Sequence, residues 1–177
     1  MYLKTMIQET FPLSIGGDLV ASEDNLLTNV EPSIYMRSDS VSYIIIHCSA
    51  TRETQDYTPE QLKHDHLARG FIDVGYHYYI RKDGTVTQHR RLNEVGAHCR
   101  PFNRCSIGVC YEGGLDANGK PKDTRTLKQR ASLVGLILDL HRQFPKAVIR
   151  GHNEMPGAVP KACPCFKPSK EFAYLMK

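Results

Sequence analysis

The sequence lacks the features that mark several protein classes. No apolar run approaches the about 20 residues of a membrane-spanning helix, and there is neither an internal repeat nor a low-complexity tract. The N-terminal stretch does not resemble a cleavable signal peptide, because Gln8, Glu9 and Pro12 interrupt its apolar segment. We therefore expect a chain that is cytoplasmic as synthesised and has no transmembrane segment.

Concentrated charge of one sign is also missing. The net charge is +4 over 177 residues, without a long basic block, and aromatic residues are not interleaved with arginines as on a surface that binds single-stranded nucleic acid. We expect no nucleic-acid partner. The mild positive charge would suit an anionic polymer such as cell envelope, but an ordinary solvated surface explains it more simply. With 41% hydrophobic and 24% charged residues, the composition is that of one globular domain.

Cysteine, in contrast, is abundant: the chain has six. The even number permits three disulfides, but without an export signal we expect a reducing compartment in which the thiols stay free. Cys48 and Cys110 lie in or beside strand-like segments and are predicted to pack as small apolar side chains. Cys99 and Cys105 would close a short disulfide loop if they were oxidised.

The periodicity of the sequence divides the chain into two parts. Residues 1–40 show no strong period and are interpreted as an N-terminal extension of a single domain at 41–177. The domain opens with a β-branched run at 41–47 that is apolar enough for a central strand. Further strands are predicted on both sides of a Lys-Asp-Gly turn within 75–90, at 106–112 and at 147–150.

Two helices are predicted among these strands, and a closing helix at 169–176. The helix at 58–70 has Thr58 as N-cap, Pro59 at its first position and Gln61 completing a capping box. The helix at 126–144 has apolar residues at three-to-four spacing. The predicted apolar stripe comprises Leu127, Ala131, Val134 and Leu138, with Ile137 and His141 on its flank. Because strands and helices alternate, we predict an α/β fold with one mixed central sheet flanked by helices.

Two histidines and a cysteine follow predicted strands at positions suited to a metal site. His47 ends the first strand, His152 follows the last strand by one glycine, and Cys163 lies on the loop beyond it. A catalytic zinc usually takes three ligands from His, Cys and carboxylate side chains and leaves the fourth position to water. Spacing alone does not distinguish such a site from a chance association of these three residues.

Four ordered motifs resemble the zinc-dependent N-acetylmuramoyl-L-alanine amidases, the family of the bacteriophage amidases called lysozymes and of the animal peptidoglycan recognition proteins. They are HCSAT at 47–51, DVGYHYYIRKDGTV at 73–86, GAHCRPFNRCSIGV at 96–109 and RGHNEMPGAVPKACPCF at 150–166. The resemblance covers about residues 41–170, and the PKAC sequence makes the phage branch the most similar. It implies the fold of that family and hydrolysis of the amide bond between N-acetylmuramic acid and L-alanine of peptidoglycan.

The resemblance also implies roles for individual residues. Three are the ligands of one zinc ion per chain: His47, His152 and Cys163. Zinc lowers the pKa of water toward ~7 and so supplies hydroxide at neutral pH. Tyr76 and Lys161 match catalytic residues that stabilise the developing oxyanion. His98 matches a residue that lines the substrate groove.

Each of these side chains also has a structural interpretation. Tyr76 would be a core or rim aromatic, Lys161 a surface lysine and His98 a structural histidine. His77 is expected to point to the face opposite Tyr76, into the core, because side chains alternate along a strand. Glu154 would either orient a metal ligand or form a salt bridge.

Cys165 departs from the phage pattern, which has a non-ligating residue at this place. As a fourth ligand it would close the metal site and make it structural. The stiffness of the intervening Pro164 argues against two cysteines on one metal. We therefore interpret Cys165 as a bystander.

The leading functional hypothesis is the amidase, which would act as a monomer on the cell wall after release or non-classical export. A second is a peptidoglycan-binding module without catalysis, as in relatives that have lost the cysteine ligand; the presence of Cys163 favours the enzyme. A third is a regulatory interaction protein of the kind known among phage relatives. A zinc deaminase is excluded, because no cysteine follows Cys165 at the required spacing.

Overall fold

A five-stranded sheet forms the centre of the computed structural model, which describes residues 38–176. The strands are β1 (Tyr43–Cys48), β2 (Thr51–Arg52), β3 (Tyr78–Ile80), β4 (Val86–Gln88), β5 (Ser106–Tyr111), β6 (Gly114–Leu115) and β7 (Val148–Gly151). The central sheet has the order β4-β3-β5-β1-β7, while β2 and β6 form a separate pair. The helices are α1 (Pro59–Ala68), α2 (Leu127–Gln143) and α3 (Pro168–Glu171).

Strand β1 is an interior strand of the sheet, as predicted. It runs parallel to β5 on one side and to β7 on the other. Its residues Ile44, Ile45 and Ile46 are all fully buried. Both faces of a parallel sheet are covered by other elements, so its strands are apolar at successive positions instead of alternating between apolar and polar residues. The sheet is mixed, since β3 pairs in parallel with β5 and antiparallel with β4. The predicted α/β class with a mixed central sheet is confirmed.

The predicted hairpin and first helix are also confirmed. Strands β3 and β4 flank the Lys-Asp-Gly turn. Helix α1 begins after Thr58, whose side chain accepts a hydrogen bond from the Gln61 backbone while the Gln61 side chain accepts one from the Thr58 backbone. This reciprocal capping satisfies two backbone donors that the helix cannot pair internally.

Helix α2 covers the predicted range, but the predicted apolar face is wrong. Leu127 is 85% exposed, and the buried apolar stripe consists of Leu133, Leu136, Ile137 and Leu140. Hydrogen bonds of a buried polar residue explain the different face. The Gln129 amide donates to the backbone carbonyls of Ile80 and Glu112, at 3.2 and 2.9 Å. These bonds turn the Gln129 side of the helix toward the sheet, and the stripe continues at three-to-four spacing from that residue.

The cysteines and the C-terminal segment complete the fold. All six thiols are free, so Cys99 and Cys105 do not form the disulfide considered above. Cys48 and Cys110 are buried as predicted. The predicted closing helix is shorter than expected, with α3 followed by a 3-10 turn at Ala173–Leu175.

Two further points concern the extent of the described structure. Within residues 38–176, no helix combines the length and apolar character needed to cross a bilayer. The predicted N-terminal extension at 1–40 lies outside the described residues except for the 3-10 turn at Ser38–Ser40.

Candidate metal centre

The carboxyl ends of β1 and β7 bring the two predicted histidine ligands together. These strands are adjacent and parallel, and their register pairs Ile46 with Gly151. His47 and His152 follow this pair directly, one on each chain segment. Their ring centroids are consequently 4.9 Å apart. The position of each histidine is thus set by strand register rather than by a flexible loop.

Cys163 completes the group from the loop that follows β7. One ligand atom from each of His47, His152 and Cys163 lies within 4.8 Å of the other two. The Nδ1 atom of His47 is 3.8 Å from the sulfur of Cys163. Zinc–nitrogen and zinc–sulfur bonds of about 2.05 and 2.3 Å at a tetrahedral angle place the two atoms about 3.6 Å apart. The donor set and its spacing therefore fit a tetrahedral zinc ion.

Backbone contacts hold the cysteine loop against the histidines. The Cys48 backbone N–H donates to the Cys163 sulfur at 3.2 Å, and the Asn153 backbone N–H donates to the Cys163 carbonyl at 2.8 Å. The Asn153 side chain also donates to the carbonyls of Ala162 and Phe166, at 3.1 and 3.2 Å. The loop is thus tied to both segments that carry the histidine ligands.

Glu154 forms hydrogen bonds on both sides of the turn that contains His152. Its carboxylate accepts hydrogen bonds from the backbone N–H groups of Gly151 and Ser169, at 2.8 and 3.2 Å, and from the Ser169 hydroxyl. These contacts join the end of β7 to helix α3, so Glu154 supports the turn that carries His152.

Burial gives His47 the protonation state that a metal ligand needs. The pKa of His47 lies well below its usual value, first because the ring is buried and then because His98, His152 and Lys161 would place positive charge nearby. The imidazole is therefore neutral at neutral pH and keeps a lone pair for coordination. Lys161 lies on the same loop as Cys163, two residues before it, and its side chain is exposed.

Tyr76 lies against the same group, just before strand β3 rather than within a strand. Its ring centroid is 5.2 Å from that of His47, and the other side of the ring packs on a cluster that includes Val74 and Cys110. Burial, followed by the nearby thiols, raises the pKa of Tyr76 well above its usual value. The phenol therefore remains an O–H donor at neutral pH.

The histidines near Tyr76 have different surroundings. His77 is fully buried, with Nδ1 accepting from the Gly108 backbone at 3.0 Å and Nε2 donating to the Glu94 carbonyl at 2.9 Å, which confirms the predicted core position. His98 lies beside His47, with 3.0 Å between His98 Nδ1 and His47 Nε2. This contact was not predicted. The glycine in the SIGV strand is the sequence signal for it, because glycine inside a strand often marks a close approach.

Cys165 is near the centre but directs its thiol elsewhere. Its Sγ donates to the Gly114 carbonyl at 3.1 Å. Its backbone has φ of 69°, in the left-handed region that side chains other than glycine rarely adopt. The three-residue group that could hold a metal consists of His47, His152 and Cys163.

The fold is α/β, and the carboxyl ends of β1 and β7 together with the following loop carry a His-His-Cys group that could hold a metal ion. Residues 37–166 match the family described as N-acetylmuramoyl-L-alanine amidase. The endolysin of Enterobacteria phage K11 is 39% identical over 132 residues, which cover 75% of this chain and 85% of the phage protein. The endolysin of Escherichia phage T7 has the same identity and coverage.

Solved structures give the same result. The amidase LysCS from Clostridium intestinale URNW, an endolysin, superposes with a TM-score of 0.64 at 27% identity, covering 81% of this chain and 88% of that protein. Bumblebee peptidoglycan recognition protein SA shares the fold, with a TM-score of 0.63 at 23% identity, over 82% of this chain and 89% of that one. This chain belongs to the N-acetylmuramoyl-L-alanine amidase family.

Proposed function

We propose that this protein is a zinc-dependent N-acetylmuramoyl-L-alanine amidase that hydrolyses the amide bond between N-acetylmuramic acid and L-alanine of peptidoglycan. The observation that carries the proposal is the His47, His152 and Cys163 group, whose ligand atoms lie within 4.8 Å of one another. One zinc ion per chain is expected, and the domain at 41–177 contains the complete site. No second subunit is needed to supply a ligand, in keeping with a monomer.

Three side chains of the chain would hold the zinc ion, and they leave one tetrahedral position free. When bound, zinc would supply activated water and polarise the scissile carbonyl. His47 contributes a neutral imidazole because burial lowers its pKa. Cys163 contributes a thiolate, and the Cys48 backbone N–H that points at its sulfur stabilises that negative charge.

Tyr76 and Lys161 are proposed to stabilise the oxyanion that develops on the carbonyl oxygen. Tyr76 keeps its hydroxyl proton at neutral pH and can donate it as a hydrogen bond. Lys161 brings a positive charge from the exposed loop next to Cys163. Donors that are already in place before the reaction lower its barrier, because no reorganisation is needed as charge develops.

A binding module without catalysis is the competing function, and peptidoglycan recognition proteins share this fold. The presence of all three candidate ligands, together with Tyr76 and Lys161, favours the enzyme. The endolysins of phages K11 and T7 are the relatives that suggest a cell-wall substrate. By analogy with them, we propose that the protein reaches the wall after release or non-classical export.

Digestion of purified peptidoglycan with mass analysis of the products tests the proposal. We expect soluble stem peptides that begin with a free L-alanine amine, and no new reducing sugar ends. A Cys163→Ser variant provides the matched control and should release none. New reducing ends would indicate a glycosidase instead, while binding to the polymer without product would indicate a recognition module.

A further inference from the structure

His98 lies directly behind the candidate metal ligand His47. Nδ1 of His98 is 3.0 Å from Nε2 of His47, and the two rings meet almost at right angles, with 5.0 Å between centroids and 85° between planes. The other nitrogen of His47, Nδ1, faces the Cys163 sulfur. His47 therefore directs one nitrogen at the ligand group and the other at His98.

This arrangement fixes the proton on each ring. A neutral imidazole carries one proton, and a nitrogen that binds a metal must offer its lone pair. With Nδ1 of His47 used for the metal, the proton lies on Nε2 and is donated to Nδ1 of His98. His98 must then carry its own proton on Nε2.

The Ser106 hydroxyl oxygen can accept that proton in a hydrogen bond. Nε2 of His98 lies 3.4 Å from the Ser106 hydroxyl oxygen. The Ser106 hydroxyl in turn donates to the Phe102 carbonyl at 2.7 Å. Every contact from His47 to Phe102 thus has one donor and one acceptor.

We infer that His98 is a positioning residue that accepts a hydrogen bond from the Nε2–H group of His47. This bond fixes the tautomer and the ring orientation of His47, so that its Nδ1 atom points at the zinc ion. The inference rests on the proposed function, since it takes the bound metal to be zinc. Metal-binding histidines generally donate their second ring N–H to such a partner, and loss of the partner costs roughly 10–100-fold in metal affinity or activity.

The surrounding backbone is shaped for the His98 ring. A Cβ atom added at Gly108, on β5, or at Gly96 would lie 2.6 Å from Cδ2 of His98 in either case, so both glycines make room for it. The backbone N–H groups of His98 and Cys99 donate to the Asn103 side chain at 2.9 and 2.8 Å. The ring thus has space beside the two glycines, and Asn103 fixes the backbone that carries it.

The positioning role differs from the substrate-groove role that the family resemblance implies. Both ring nitrogens of His98 have partners inside the protein, at His47 and Ser106. A substrate hydrogen bond through either nitrogen would require one of these contacts to break. The two roles therefore predict different results when the ring is removed. A positioning residue would lower the affinity for zinc when it is lost, whereas a groove residue would lower the affinity for the substrate.

Zinc affinity in His98→Ala and His98→Asn variants tests the inference. Asparagine places Oδ1 about where histidine has Nδ1, so it restores an acceptor for His47. We expect His98→Ala to lose roughly 10–100-fold in zinc affinity and His98→Asn to recover most of it. Competition with a chromophoric chelator measures the affinity, and the visible spectrum of the Co²⁺-substituted proteins reports the ligand geometry. The exposed His64, which contacts Asp65, provides a control: His64→Ala should bind like the wild type.

The outcomes separate this inference from the proposed function. If the wild type binds no zinc, the proposed metal centre is wrong and the inference falls with it. If the wild type binds zinc and His98→Ala binds it equally well, with a raised KM for peptidoglycan, His98 is a substrate residue and only the inference is overturned. An equal loss in both variants would assign His98 to packing and overturn it as well.

Discussion

Ile46 and Gly151 face each other across the parallel strands β1 and β7, and the next residue on each strand path is a histidine. Because the two strands are parallel, their carboxyl ends lie on the same side of the sheet, and both chain segments leave the sheet there. The register thus places His47 beside His152 before any metal is bound, with ring centroids 4.9 Å apart. A site prepared in this way loses little conformational entropy when the ion binds.

Zinc removal should abolish activity while leaving the fold intact. The three candidate ligands lie at the carboxyl ends of β1 and β7 and in the following loop, whereas the sheet is held by fully buried apolar residues such as Ile44, Ile107 and Ile149. We expect about one zinc per chain by elemental analysis and complete loss of peptidoglycan cleavage in a chelator. Circular dichroism should remain native, and added zinc should restore cleavage. A metal-free preparation with full activity would contradict the mechanism.

Replacement of Tyr76 by phenylalanine should reduce turnover by roughly 10²–10³-fold, as expected for the loss of one oxyanion donor. Only the hydroxyl is removed, so the ring still packs against His47 and zinc content should not change. Tyr174→Phe is the matched control, because Tyr174 is 55% exposed. Cleavage rates and zinc content measured together check the prediction; unchanged turnover would make Tyr76 a rim aromatic.

Replacement of Lys161 by alanine should lower the cleavage rate without releasing zinc. The side chain is exposed, and its positive charge is one of the causes that lower the pKa of His47. The loss should shrink for Lys161→Arg, which keeps the charge. Lys170→Ala, an exposed lysine on helix α3, controls for the general effect of removing a positive charge. Equal rates for Lys161→Ala and the wild type would remove the lysine from the mechanism.

Stability should fall between pH 7 and pH 5 because two buried histidines must stay neutral in the fold. Burial lowers the pKa of His66 and of His77 from 6.5 to about 4. In the unfolded chain they titrate near 6.5, so below that pH the unfolded state binds more protons and is favoured. The stabilisation is complete above about pH 6.5 and is lost as the pH falls toward 4, by roughly 2 kcal/mol per histidine at pH 5.

Urea unfolding of the metal-free protein at pH 7, 6 and 5 measures this dependence. The use of metal-free protein removes the pH dependence of zinc binding itself. His77→Asn should flatten the curve, since asparagine Oδ1 lies about where histidine has Nδ1 and can still accept from the Gly108 N–H, but cannot gain a proton. Equal free energies of unfolding at pH 7 and pH 5 would contradict the assignment of neutral histidines to the core.

Strand positions could be predicted because they depend on local sequence, and the grouping of His47, His152 and Cys163 could be predicted from the strand ends together with the family resemblance. A β-branched run such as Ile44–Ile46 indicates a buried strand, and a histidine that directly follows such a run lies at the carboxyl end of that strand. The capping box of Thr58 and Gln61 could likewise be predicted, because it depends on only four consecutive residues.

The features that could not be predicted depend on contacts between distant residues. The rotation of helix α2 follows the hydrogen bonds of buried Gln129 to Ile80 and Glu112, whereas apolar spacing alone pointed to Leu127. The contact between His47 and His98 joins residues 51 positions apart. Gly108 is a local sign of it, since a glycine in a strand indicates a close approach without identifying the side chain that approaches.

Zinc content and amide cleavage in Cys163→Ser and Cys165→Ser test the central claim most directly. The two cysteines are two residues apart on one loop, and only Cys163 belongs to the group that could hold a metal. Cys163→Ser should lose most of its zinc and its activity, because a neutral hydroxyl replaces a thiolate ligand. Cys165→Ser should keep both, because a serine hydroxyl can still donate to the Gly114 carbonyl. Loss of zinc from Cys165→Ser would mean a closed four-ligand site and would contradict the hydrolytic mechanism proposed for this protein.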